Sequence, residues 1–129
     1  MEIEQSYSLD AHRRLCIKKD LIELTGWIDT LERVNEEINY LKIIDKQLIK
    51  DSAIGHNLQA LRRKNTLLMG LLCSYEKELN TEYEYGKLKY DLSRAKLHEK
   101  KRSGLDSFVL EFVEIRKRIY HKLSMYHRR

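Results

Sequence analysis

Residues 24–41, LTGWIDTLERVNEEINYL, decide the fold. Their apolar positions are Leu24, Trp27, Leu31, Val34, Ile38 and Leu41, at intervals of three and four. That spacing brings these six side chains to one face of an α-helix. A stripe held through several heptads faces another helix. Ile17 upstream and Leu48 downstream extend it, so a first helix is predicted over about residues 9–50. It starts near Ser8 or Asp10, either of which can cap it. Asp45 breaks the stripe at a position that should be apolar. The pattern fades over KDSAIGH, residues 50–56, the best turn candidate in the first half. Asp51 or Ser52 can cap the next helix.

A second stripe runs through Ile54, Leu58, Leu61, Asn65, Leu68, Leu72, Tyr75 and Leu79. Allowing one stutter, Tyr83, Gly86 and Tyr90 continue it, so the second helix is predicted over about residues 53–101. The basic stretch KKRSG, residues 100–104, suits a helix C-terminus and a turn. A third helix then spans about residues 105–127 on Leu105, Phe108, Phe112, Ile115, Ile119, Leu123 and Tyr126. Short connections join antiparallel neighbours. The prediction is an all-α single domain, a long antiparallel hairpin with a shorter third helix, up-down-up and coiled-coil-like.

Composition agrees. The 129 residues are 42% apolar and 35% charged, with five Gly and no Pro, which excludes a disordered tail and leaves too little turn chemistry for a sandwich or barrel. The longest apolar run, LLMGLLC at residues 67–73, is far shorter than a membrane span requires. The opening MEIEQSYSLD is acidic, so no export signal is expected and the cytoplasm is the expected compartment. Cys16 and Cys73 fit no metal or redox spacing and are expected to be reduced and buried.

A third helix of that length would leave the far part of the hairpin uncovered. The resulting two-helix arm would be too apolar to stand in water. Ile38, Leu41, Ile43 and Ile44 on one helix and Leu67, Leu68, Leu71 and Leu72 on the other are therefore the expected interface of a homodimer. Asn65, polar at a core position, is the expected register-setting residue.

Charge is uneven. Residues 1–52 hold 8 basic and 11 acidic groups, whereas residues 94–129 hold 11 basic and 4 acidic. Arg94, Lys96, Lys100, Lys101 and Arg102, with Arg116, Lys117, Arg118 and Lys122, are thus candidates for binding an anionic partner such as nucleic acid. Motifs for phosphate loops, nucleophilic hydrolysis or zinc hydrolysis are missing. The five histidines are scattered and read as surface residues. The stripes are apolar except for Asp45, Asn65 and Gly86. No active site, metal or cofactor is expected, and the sequence reads as a non-enzymatic scaffold or adaptor acting through protein contacts. Nucleic-acid or anionic-surface binding is the alternative.

The Trp27-x3-Leu31-x2-Val34-x3-Ile38-x2-Leu41 pattern, with Phe108-x3-Phe112-x6-Ile119-Tyr120-x2-Leu123, resembles a group of uncharacterised small bacterial helical-hairpin proteins. That resemblance implies the fold and carries no activity.

Overall fold

A computed structural model describes residues 2–126, with side chains from Tyr7 onward. Three long helices account for nearly all of it: α1 (Glu2–Ile44), α2 (Ser52–Tyr85) and α3 (Leu92–Ser124). The first helix runs through Ser8 and Asp10, so neither caps it.

α1 ends by widening into a single π-turn, Asp45–Ile49, closed by the Lys50 N–H on the Asp45 carbonyl. Lys50 is left-handed, with φ 56°, and among the described residues it alone has positive φ. The chain then reverses. Asp51 caps α2 by accepting the Ala53 N–H at 2.9 Å, and its own N–H donates to the Asp45 carboxylate at 3.1 Å. Asp45, polar within an apolar stripe, is thus buried as the acceptor that organises the turn.

The second turn lies at residues 86–91, not 100–104. α2 stops where Gly86 turns extended, and Asp91 caps α3 by accepting the Arg94 N–H at 3.0 Å. Ser103 and Gly104 sit inside α3 on its exposed side. The predicted boundaries of 53–101 and 105–127 are therefore replaced. Tyr83 and Tyr90 both pack on the core, but from opposite sides of the connection, so the stripe keeps its spacing straight through the break.

Side-chain pairs fix the directions. Asn65 reaches Leu31 and Gln59 meets Lys42, so α2 descends as α1 rises. Arg102 meets Glu23 and Arg116 meets Glu37, both 79 residues apart, so α3 runs parallel to α1. Lys64 meets Glu111 and Asp51 meets Lys122, so α3 runs antiparallel to α2 along its full length. With 33 residues against 34 in α2, the third helix covers the whole hairpin, and the predicted two-helix arm does not exist. One continuous core runs from Ile17 and Leu79 at one end to Ile54 and Ile119 at the other.

Candidate functional site

The longer third helix decides the fate of the predicted interface. Ile38, Leu41 and Leu72 lie in this chain's own core, and Ile44 and Leu68 are half-buried against it. Only Ile43, Leu67 and Leu71 remain exposed. Asn65 is buried and donates its amide to the Leu31 carbonyl at 2.9 Å, a single directional bond between α1 and α2.

Much of the predicted basic surface is engaged internally. Arg94 pairs with Glu82, Arg102 with Glu23, Arg116 with Glu37 and Lys122 with Asp51, while the Lys101 ammonium lies 5.2 Å from the centre of the Tyr75 ring. Lys96, Lys100, Lys117 and Arg118 are exposed and form no ion pair among the described residues. The candidates do not converge on one patch.

The chemically dense region lies elsewhere, where α1 meets the start of α3. His98 is 3% exposed. Its ring stacks on Trp27, with centroids 4.8 Å apart. Nδ1 is 2.7 Å from the Tyr75 hydroxyl; Nε2 is 2.7 Å from Glu23 Oε1 and 3.5 Å from Asp20 Oδ1. Arg102 donates to both oxygens of Glu23, at 2.9 and 2.7 Å, and the Tyr90 hydroxyl donates to Asp20 Oδ2 at 2.5 Å. The bonds from Arg102 and His98 hold the Glu23 carboxyl at about 2, against an ordinary value of 4.5. Burial pushes the Tyr75 and Tyr90 hydroxyls well above their usual range, and the Asp20 carboxylate adds to this in both cases.

The sequence explains this placement. Asp20 follows Ile17 by three and precedes Leu24 by four, so it occupies a stripe position left vacant by apolar residues. Glu23 is three residues further on, displaced toward α3. His98 precedes Leu105 by one heptad, on the core face of α3. His98 is therefore not the surface residue expected, and its burial corrects that reading. The vacancy at residue 20 is the available signal. It cannot be connected to His98 while the third helix is taken to begin at 105.

The junction opens into a cleft of about 630 Å³, also lined by Cys16, Lys19 and Ile22. Cys16 Sγ lies 3.6 Å from His12 Nε2, and both thiols are free and half-buried rather than buried. Asp20, Glu23 and His98 each offer one ligand atom, and these atoms all lie within 4.8 Å of one another. Arg13, almost fully buried, donates to the Glu82 carbonyl in the last turn of α2, a cation placed where the helix dipole favours one.

Compared with known proteins, the chain matches no family model, no curated protein and no solved structure. No helix among the described residues is long and apolar enough to cross a membrane.

Proposed function

We propose that this chain is a non-enzymatic helical scaffold that acts through protein contacts, its first partner being a second copy of itself. The supporting observation is a pair of exposed leucines along the seam between α2 and α3. Lys64 and Glu111 define that seam by pairing at 2.7 Å. Leu71 and Gly104 each lie seven residues from that pair, two helical turns along the same stripe, with Leu67 and Ser107 between them. Leu67 is 70% exposed and Leu71 59%. Each leucine left in water forgoes about 1.5–3 kcal/mol of burial.

A Cβ at Gly104 or Gly70 would meet nothing within 4 Å. Glycine inside a helix costs roughly 0.5–1 kcal/mol relative to alanine, and no contact within the chain requires it at either position. A second copy crossing at Gly104 would lay its own Leu71 against that glycine, giving a two-fold contact in which each copy offers the same surface. Anion binding by the C-terminal third has less support, because four of its nine candidate residues are held in internal ion pairs.

Light scattering after size exclusion tests the proposal. A species of twice the 15.5 kDa chain mass is expected, collapsing to one chain in Leu67→Lys/Leu71→Lys. Both sites are solvent-facing, so folding persists. A single-chain mass for the parent at every concentration overturns the reading. A dimer that dissociates steeply with added salt favours electrostatic association instead.

A further inference from the structure

We propose that Asp20, Glu23 and His98 form a zinc-binding site at the junction of α1 and α3, independently of the scaffold reading. Three features of the geometry carry this. The facing atoms converge: Nε2 lies 2.7 Å from Glu23 Oε1 and 3.5 Å from Asp20 Oδ1. In a tetrahedral zinc site with bonds of about 2.0–2.2 Å, ligand atoms stand about 3.3 Å apart. The His98–Asp20 edge already fits, and the His98–Glu23 edge must widen by roughly half an ångström.

Second, each ligand is steadied on its far side. Tyr90 holds the other oxygen of Asp20 and Tyr75 holds Nδ1 of His98, while Arg102 grips both oxygens of Glu23, so its bond to Oε1 must lengthen as zinc enters. Outer partners of this kind orient metal ligands, and for a histidine they fix which nitrogen carries the proton. The Tyr75 hydroxyl can donate or accept. Zinc on Nε2 leaves the imidazole proton on Nδ1, where the Tyr75 oxygen can accept it. Third, the cluster faces the cleft, leaving a side open for water as the fourth ligand.

Two carboxylates give the site two negative charges, partly offset by Arg102. An imidazole among the ligands selects zinc over magnesium.

The test uses the full chain, stripped with a chelator and titrated with zinc chloride in a calorimeter. One zinc per chain is expected, undisturbed by excess magnesium. Asp20→Asn keeps the size of the side chain and an acceptor for Tyr90, and it should weaken binding at least 100-fold with the helical circular dichroism unchanged. Tyr75→Phe, acting only through His98, should weaken it about 10–100-fold. Cobalt in place of zinc should give the visible absorption of a tetrahedral site, absent in Asp20→Asn. No binding by the parent chain, equal binding by Asp20→Asn, or loss of binding in His12→Ala/Cys16→Ser instead would overturn the assignment.

Discussion

Toward the turn at residues 45–51, the centre of the bundle is hydrocarbon up to the buried Asp45 of the turn itself. Ile38, Leu41, Ile54, Leu58 and Ile119 are almost completely shielded from water. Toward the connection at residues 86–91, the same central layer holds Asp20 and His98, bridged to Tyr75, Tyr90, Glu23 and Arg102, and Arg13, which donates to the Glu82 carbonyl. Hydrocarbon packing rewards burial without direction, so it drives the helices together and tolerates small repacking. Hydrogen bonds and ion pairs are directional. Sliding α3 by one turn along α1 would separate Glu23 from both His98 and Arg102 and leave buried polar groups unpartnered. The hydrocarbon core, continuous through both ends, therefore supplies the adhesion, and the polar end sets the register.

Mutation should separate the two ends. Leu58→Ala at the apolar end should cost about 2–5 kcal/mol by urea unfolding, since it opens a cavity in a closed layer. His98→Leu at the polar end should cost less, about 1–3 kcal/mol, because Glu23 keeps Arg102 while Tyr75 loses its partner. Hydrogen exchange distinguishes the consequences. His98→Leu should loosen the amides of the first three turns of α3 and leave those around Phe112 protected. Uniform loosening would mean that the polar end does not act locally.

pH offers a gentler probe. The Glu23 carboxyl is depressed in the fold, so its contribution is complete above pH 4.5 and is lost as pH falls toward about 2. Tyr75 and Tyr90 are raised, so their contribution is complete below pH 10 and is lost as pH climbs past it. Thermal melts should therefore weaken at both extremes. Glu23→Gln should flatten the acid side, and Tyr90→Phe the alkaline side. Identical acid profiles for parent and Glu23→Gln would break the contrast. The smallest effect belongs to the turn at the apolar end. Lys50→Gly should stabilise by roughly 0.5–1 kcal/mol, because glycine adopts the left-handed conformation without steric cost.

The apolar stripes, which run through both ends, and the first turn are readable from the sequence because their signals are local. Leu24 to Leu41 and Ile54 to Leu79 keep their spacing, and the cap at Asp51 lies where the pattern fades. The second turn is not readable. Tyr83, Gly86 and Tyr90 keep helical intervals across a break, and KKRSG resembles a helix end although it continues one. That one misplaced turn shortens the third helix on paper and creates an arm that the fold does not contain. Of the eight interface candidates, Leu67 and Leu71 stay exposed in the α2–α3 seam, while Ile38, Leu41 and Leu72 serve the chain's own core. The polar junction is hidden for a different reason. Glu23 and His98 are 75 residues apart, and only the true start of α3 brings them level.

Trp27 is the only tryptophan in the chain, and its indole stacks on the His98 ring at an inclination of 26°. Any change in the charge carried by that ring alters the electrostatic field on the indole and shifts its emission. The molecule thus contains its own optical reporter, located where α1 and α3 lock together, and a fluorimeter can follow events at that contact without an added label.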